Sequence, residues 1–365
     1  MPLAGADTVQ NGAVTTAIDY MPLITPVPKH EVQQFRRESK QQGAPWAAHP
    51  LASIGVVVAI VVVGIWIVMG VASSFYFTLT TVRGAGDIPA ALFPALGPVI
   101  VVVLIAVVAA RTLLKGGKWE GLLRRTRFAA ANGLLYVHEV EEPGYPGAIF
   151  DLGSTRRAFG NYRRPHAPEL DIGSYRYTTG SGKSRTTHTW GYVALRLPRR
   201  LPHMLLDAKG NNALFGASNL PLTFSREQVL SLEGDFDRYF TLYCPKQYER
   251  DALYVFTPDL MALLIDESAG FDMEIVEDWM FLYRRGGLDT ADPATLQTVF
   301  RIVDTVGQKA RSQTERYRDE RIGDPAVNLV APQGQRLKRS YRAFGFVAVG
   351  VMIWFVAQYA LEIMV

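Results

Sequence analysis

A histidine and an aspartate stand four residues apart in the segment LPHMLLDAKG, as His203 and Asp207. If that segment is a β-strand, as its composition predicts, the even spacing places both side chains on one face of the sheet. An imidazole beside a carboxylate is the arrangement of a general-base pair. No nucleophile motif accompanies it, because the chain contains no G-x-S-x-G sequence. A general-base pair is therefore a hypothesis without an assigned reaction.

Two acidic groups resemble parts of metal sites. Glu233, Asp235 and Asp237 lie in the run EGDFD, but a calcium loop of the EF-hand type needs more oxygen ligands over about 12 residues. A turn at a strand end is the simpler interpretation. The acids between Glu274 and Asp278 have no histidine beside them, and we expect them on an exposed strand edge. The histidines show no HExxH or other metal-ligand spacing, so the sequence assigns no catalytic residue, metal or cofactor.

The run TTGSGKSRT invites comparison with a phosphate-binding P-loop. That motif requires a glycine at the position of Tyr177 and a helix after the serine, and neither is present. Instead, Gly180-Ser181-Gly182 predicts the turn of a β-hairpin. The aromatic and basic residues on its arms either pack across the strands or bind nucleic acid, and packing is the simpler interpretation. Nucleic acid is not an expected partner.

The chain has one cysteine, Cys244. One thiol excludes an intramolecular disulfide, and it excludes a zinc site built on several cysteines. Cys244 precedes Pro245 and has no helix start or histidine nearby in the sequence. We therefore predict a small buried residue rather than a nucleophile.

Three long apolar blocks stand out among the 365 residues. About 20 apolar residues in a helix cross a hydrocarbon core of about 30 Å, so the blocks predict transmembrane helices. A buried core helix is the alternative. The predicted organisation is a disordered tail at 1–50 without a signal peptide, spans at 51–79, 88–114 and 344–365, a short external loop at 80–87, and a cytoplasmic domain at 115–335.

Basic residues cluster beside these blocks, and their positions matter more than the modest net charge of +4. Positive charge near the ends of spans is retained on the cytoplasmic side, which predicts a multi-pass protein of the bacterial plasma membrane. The tail and the domain would be cytoplasmic, with the C-terminus at the outer face. The same charges predict the lipid bilayer and its anionic headgroups as partners. The predicted membrane-interface residues are Arg111, Lys115, Lys118, Arg124, Arg125, Arg127, Arg336, Lys338, Arg339 and Arg342.

The predicted fold class is three transmembrane α-helices with a cytoplasmic α+β domain of mostly antiparallel strands. Short β-rich runs alternate with turn residues through the first half of the domain. We also expect strands at GAIFDLG and ALYVFT, and two short strands in FDMEIVEDWMFLYRR. Asp292 precedes a periodic apolar stripe that predicts a long helix at about 293–321.

The run LEGDFDRYFTLYCPKQYERDALYVFTPDLMALLI, continuing into FDMEIVEDWMFLYRR, resembles the C-terminal core of a bacterial membrane-protein family, domain of unknown function 3137. The resemblance covers about 100 residues, and uncharacterised actinobacterial membrane proteins of this longer layout are similar as well. The matching residues are Phe236, Phe240, Ala252, Leu253, Tyr254, Thr257, Pro258 and Met261. The third span departs from the broader family pattern. The resemblance implies a membrane location and no established activity, so it transfers no catalytic residues.

Together these patterns favour a non-enzymatic, membrane-anchored interaction or scaffold module that binds a cytoplasmic protein partner or the inner leaflet. One alternative is an enzyme of unrecognised type that uses His203, Asp207 and the 233–237 acids, if the fold brings them together. Another is an accessory subunit of a transport or envelope complex. The ligand, the oligomeric state and the pathway are not written in the sequence.

Overall fold

The computed structural model describes residues 17–43, 64–66, 69–70, 72–73, 76, 80, 117–166, 169–212, 218–324 and 327–340. They fall into two compact units, one from Met1–Tyr20 with Phe128–Val365, and the other from Met21–Arg127. The helices are α1 (Met21–Ile24), α2 (Lys29–Gln41), α3 (Gly117–Ala131), α4 (Phe236–Tyr239), α5 (Glu249–Val255), α6 (Pro258–Ser268), α7 (Pro293–Ile302), α8 (Gln308–Thr314) and α9 (Pro332–Gln335). The strands are β1 (Leu135–Glu141), β2 (Ser154–Arg164), β3 (Leu170–Thr179), β4 (Thr186–Ala208), β5 (Val229–Leu230), β6 (Phe240–Tyr243) and β7 (Asp272–Arg285).

The predicted membrane spans are corrected by the structure. Among the residues described, no helix is both long enough and apolar enough to cross a membrane. The longest uninterrupted α-helix among them, α3, has 15 residues, or about 22 Å of rise, and its sequence carries several charges. This finding corrects the predicted fold class of three transmembrane helices, and with it the predicted multi-pass location in the plasma membrane. Apart from a few helical positions in 51–79, the segments 51–79, 88–114 and 344–365 lie outside the described residues.

The smaller unit contains α1, α2 and the part of α3 that ends at Arg127. Arg127 forms an ion pair with Glu31 of α2, and the Phe35 ring meets Trp119 edge-on at 6.3 Å. Residues 17–43 lie inside the tail that was predicted to be disordered, yet they include the two helices α1 and α2. The rest of that tail lies outside the described residues.

The larger unit is built on an antiparallel sheet in the order β1-β2-β3-β4-β6-β5, with β7 also paired to β4. β4 is the central element, because it pairs with β3, with β7 and, at its end, with β6. It is one strand of 23 residues where the sequence predicted a hairpin arm and a separate strand. Pro198 and Pro202 lie where its register with β7 shifts, since proline cannot donate a ladder hydrogen bond.

β7 is also one strand, of 14 residues, and not the two short strands predicted. Its irregularity is Glu277, whose φ of 57° lies in the left-handed region. The segment GAIFDLG forms turns rather than a strand. Gly147 begins this segment where a methyl group would collide with Tyr283 and Phe281, so the backbone passes directly over β7.

The predicted hairpin is present as β3 and β4, joined by a short 3-10 turn at Gly182–Ser184. Tyr175 is paired with Trp190 across the hairpin, and both are buried. Phe150 packs against Tyr175 and Phe281, with ring centroids 4.7 Å and 5.6 Å away. The aromatic residues are therefore core, which removes the basis for a nucleic-acid surface there.

Two helical regions differ from expectation. The run ALYVFT falls mostly in α5, whose first turn carries Glu249 and Asp251, so the favourable end of the helix dipole outweighs the strand composition. The long helix begins after Asp292, whose carboxylate accepts from the backbone N–H of Thr295 at 2.9 Å. It runs through α7, a π-turn at Val303–Gly307 and α8, and ends at Thr314 rather than near residue 321.

Candidate functional site

His203 and Glu274 meet on one face of the sheet, brought together by the pairing of β4 with β7. Glu274 lies opposite Leu205, and its Oε1 is 2.7 Å from His203 Nε2. His203 Nδ1 accepts a hydrogen bond from the backbone N–H of Leu337 at 3.0 Å. Because a backbone N–H only donates, the imidazole is protonated at Nε2, which donates to Glu274. Both ring nitrogens are thus committed to partners.

Glu274 is fully buried, with 0% of its surface exposed. The predicted exposed strand edge is therefore wrong for this residue. Its Oε2 accepts from the Tyr283 hydroxyl and from the backbone N–H of Ala148, each at 2.7 Å. Burial, then the charge of Glu274, raises the pKa of Tyr283 well above its usual range, so the phenol stays a donor. Glu274 thus accepts from three donors, and neither Glu274 nor His203 is left free to act as a base. The network therefore has a structural role, because it connects β4, β7 and the turn before β2.

Asp207 does not contact His203 through any described hydrogen bond, although both occupy the same face of β4. Its neighbour is Asp272, the first residue of β7, one position beyond the register pair Leu206↔Met273. Asp207 is 6% exposed and Asp272 1% exposed. The backbone N–H of Ala208 donates to Asp272 Oδ1 at 2.9 Å. The fold therefore buries two carboxylates side by side.

Burial is the main influence on both acids. It raises the pKa of Asp207, against the opposing effect of hydrogen bonds from Ser218 and Asn212. It raises the pKa of Asp272 to about 7, and the nearby charge of Asp207 adds to that increase. Among the described residues, Oδ1 of Asp207, Oδ2 of Asp272 and Oδ1 of Asn211 are buried without a hydrogen-bond partner.

Another buried acid, Asp171, shows the contrast. Asp171 is 1% exposed, and its carboxylate accepts from Asn161 at 2.7 Å, from Arg163 at 2.9 Å and from Tyr145 at 2.7 Å. Its oxygens are satisfied by β2 and by the loop that precedes it, as buried charges require. Asp207 and Asp272 lack such a full set of hydrogen-bond donors, so each keeps one carboxylate oxygen without a partner among the described residues.

A cavity of about 720 Å³ opens beside Asp207. Such a volume is typical of ligand sites. Its walls combine apolar side chains with serine and threonine hydroxyls, and its exposed rim carries Arg226, Glu227 and Arg339. The other lining residues are Leu205, Ser218, Leu220, Leu222, Thr223, Phe224, Ser225, Tyr243 and Ser340. The site is thus a pocket of mixed apolar and polar lining, with a carboxyl group in its wall and net positive charge at its mouth.

The acids of EGDFD do not join this site. Glu233 and Asp235 are exposed in the turn before α4, and Asp237 accepts a hydrogen bond from the backbone N–H of Leu232 at 3.2 Å. Within the described residues, no group of three or more histidine, cysteine, aspartate or glutamate side chains is placed to hold a metal. The turn interpretation describes the geometry of this run.

Sequence reasoning did not associate Asp272 with Asp207 or Glu274 with His203. One signal was available, because Asp272 and Glu274 alternate with Met273 and Ile275 in an otherwise apolar strand. Acids at every second position of such a strand share one face, and a buried face needs partners for them.

The basic residues predicted at a membrane interface have varied surroundings. Arg111, Lys115 and Arg342 lie outside the described residues, whereas Lys118 and Arg125 belong to α3. Arg124 pairs with Glu120 at 2.5 Å, and Arg336 pairs with Glu277 at 2.7 Å. Lys338 exchanges backbone hydrogen bonds with the Gln228 side chain at 2.9 Å, beside Arg339 at the cavity. These contacts do not test a role at a lipid surface.

Cys244 is predicted to be unreactive in the folded protein. It is buried, and burial raises the pKa of its thiol to about 12, with the charges of Glu249 and Asp251 adding to the effect. The thiolate is the reactive species, so a thiol reagent should not label the native chain. We expect one equivalent of label only after unfolding in denaturant, measured by mass spectrometry. Rapid labelling of the native chain would contradict the buried position.

No known protein family matches this chain, and no curated protein is detectably similar to it. Among solved structures, it is similar to the crystal structure of the mycobacterial trehalose monomycolate transport factor A, TtfA. The two are 11% identical with a TM-score of 0.35, over 51% of this chain and 92% of that chain. A likeness this weak supports no conclusion about function.

Proposed function

We propose that this chain is a non-enzymatic binding module that recognises a protein partner through the cavity beside Asp207. The observation that supports the proposal is the cavity itself, a pocket of about 720 Å³ that holds apolar side chains inside a charged rim. An apolar centre inside a polar rim is the usual anatomy of a protein–protein contact. We also propose the resemblance to the domain of unknown function 3137 family. That family has no established activity, which is consistent with a binding module.

The paired state of His203 favours a binding module over an enzyme. A general base needs a free nitrogen within hydrogen-bond reach of a substrate proton. His203 uses Nε2 toward Glu274 and Nδ1 toward Leu337, and the residue is 6% exposed. The Asp207 carboxyl does line the cavity, but no imidazole lines it to activate the serine and threonine hydroxyls there. The pairing of His203 and the lining of the cavity therefore favour binding over catalysis.

The chemistry of the partner follows from the cavity. Leu220, Leu222 and Phe224 offer an apolar surface that suits an inserted leucine, phenylalanine or tryptophan side chain. At the rim, Arg226 and Arg339 outnumber Glu227. Complementary charge steers association and rejects unlike partners. We therefore propose a partner segment with one apolar anchor flanked by acidic residues.

A peptide panel tests this proposal. Fluorescein-labelled peptides with a central tryptophan or leucine, flanked either by acidic or by basic residues, would be titrated with the purified full-length chain while polarisation is recorded. We expect binding of the acidic set only. The change Leu222→Arg should weaken it by about tenfold or more, because the new side chain fills the pocket and adds a buried charge.

The matched control is Leu253→Arg, at an exposed leucine of α5 that is 52% exposed and does not line the cavity. This variant should bind like the parent chain. Equal binding of acidic and basic peptides, or unchanged binding by Leu222→Arg, would contradict the proposed surface. Failure of every peptide in the panel would remove the proposed partner chemistry.

A further inference from the structure

We propose that Asp207, Asp272 and Asn211 together bind a hard divalent cation. Each contributes a buried side-chain oxygen that lacks a hydrogen-bond partner among the described residues, namely Oδ1, Oδ2 and Oδ1 respectively. Two other such oxygens in the described residues, on Asn161 and Thr257, belong to other elements. Three unsatisfied oxygens in one cluster are exceptional, since buried polar groups are nearly always paired.

The topology explains why these three residues meet. Asp207 is the next-to-last residue of β4, and the short 3-10 turn Lys209–Asn211 follows directly. Asp272 begins β7, and Ala208 donates to it. A hydrogen bond from the Asn211 side chain also reaches Asp272, which leaves the amide oxygen of Asn211 unused. The cluster is therefore assembled where two adjacent strands and one turn converge.

Ligand chemistry favours calcium or magnesium. Both prefer carboxylate and amide oxygens, and both complete their coordination with water or backbone carbonyls. Two carboxylates in neighbouring positions repel one another when buried, and a divalent cation would neutralise both. Asp207 also lines the cavity, so the cluster lies beside that open space. We commit to a calcium ion as the probe, since its flexible coordination tolerates an incomplete protein shell.

The surrounding charges do not already neutralise the pair. Lys209 is the basic group whose charge acts on Asp207, but its ammonium donates to the backbone carbonyl of Asp237. Asn212 and Ser218 donate hydrogen bonds to Asp207 without contributing charge. The competing explanation is a proton shared between the two carboxyl groups. A shared proton would make the pair indifferent to calcium at neutral pH.

Thermal unfolding of the full-length chain separates these explanations. After treatment with EDTA, Tm would be measured at pH 7.5 with calcium raised to about 10 mM at constant ionic strength. We expect Tm to rise by about 3–8 °C, the shift for a site of submillimolar to millimolar affinity. Calorimetry should give one calcium ion per chain. No rise in Tm and no binding heat would overturn the proposal.

Variants assign the effect to this cluster. Asp207→Asn and Asp272→Asn should each abolish the calcium response without lowering Tm in EDTA, because each relieves the repulsion between buried charges. Asn211→Ala should weaken calcium binding several-fold. The control Asp235→Asn, an exposed acid, should respond like the parent chain. A calcium response that persists in both aspartate variants would overturn the assignment. Because calcium is tested without any peptide, this result is independent of the proposed partner binding.

Discussion

Replacing Glu274 with alanine is expected to lower the free energy of unfolding by about 3–5 kcal/mol. The carboxylate accepts from His203, from Tyr283 and from the backbone N–H of Ala148, all at 2.7 Å. Alanine leaves these three buried donors without an acceptor, and each unsatisfied group costs free energy. Because Ala148 and Leu337 are tied into the network, the turn before β2 and the segment after α9 should loosen together. Urea unfolding followed by circular dichroism measures the loss.

The matched control is Glu141→Ala on β1. Glu141 pairs with Arg157 at 3.0 Å, but its side chain is 73% exposed. Exposed ion pairs contribute about 0–1 kcal/mol, so this variant should remain close to the parent chain. The conservative change Glu274→Gln should fall between the two, because an amide keeps one acceptor oxygen. Equal stability of Glu274→Ala and Glu141→Ala would show that the buried donors find other partners.

Asp272 should make the folded chain less stable as pH rises from about 4 to about 7. Burial raises its folded pKa from 3.8 to about 7, so the unfolded chain releases this proton at lower pH than the folded chain. Between those values the folded state holds more protons, and stability falls with increasing pH. The contribution lost by pH 7.5 is on the order of 2–4 kcal/mol, and above pH 7 it stays constant.

Asp272→Asn should remove most of this slope and raise stability at pH 7.5 by about the same 2–4 kcal/mol. Asparagine keeps an acceptor for the Ala208 N–H, and its amide can donate toward the unpaired oxygen of Asp207. A smaller slope should remain from Asp207, whose pKa is also raised. Unfolding curves at several pH values, in EDTA to exclude divalent cations, provide the measurement.

The exposed acid Asp259 supplies the comparison. Its side chain is 77% exposed beside Lys309, so Asp259→Asn should leave the pH slope unchanged. If Asp272→Asn instead destabilised the chain at pH 7.5, the carboxylate would be ionised and well satisfied in the fold. That result would also remove the reason for a cation between Asp207 and Asp272.

Local sequence predicted the placement of His203 and Asp207 on one face of a strand, because side-chain direction alternates along an extended chain. It also predicted the turn at Gly180-Ser181-Gly182 and the start of a helix after Asp292, since turns and caps depend on a few adjacent residues. These features require no information from distant parts of the chain.

Local composition misled where distant contacts or a helix end outweighed it. The run ALYVFT has strand composition, yet acids at Glu249 and Asp251 begin a helix there. The apolar blocks predicted membrane helices, and among the described residues no helix is long and apolar enough for that role. Glu274 was expected at an exposed strand edge with Glu277 and Asp278, whereas pairing with β4 buries it.

The sequence alone determined the chain's strand periodicity, its turn and cap positions and the absence of disulfide chemistry, because these depend on neighbouring residues or on a single count. The tertiary structure decided which charged groups are satisfied. Glu274 reaches His203, Tyr283 and Ala148 only because β7 pairs with β4 in one register. The same register places Asp272 against Asp207 without enough donors. Burial and pairing of charges depend on contacts between residues far apart in the chain, which no local pattern contains.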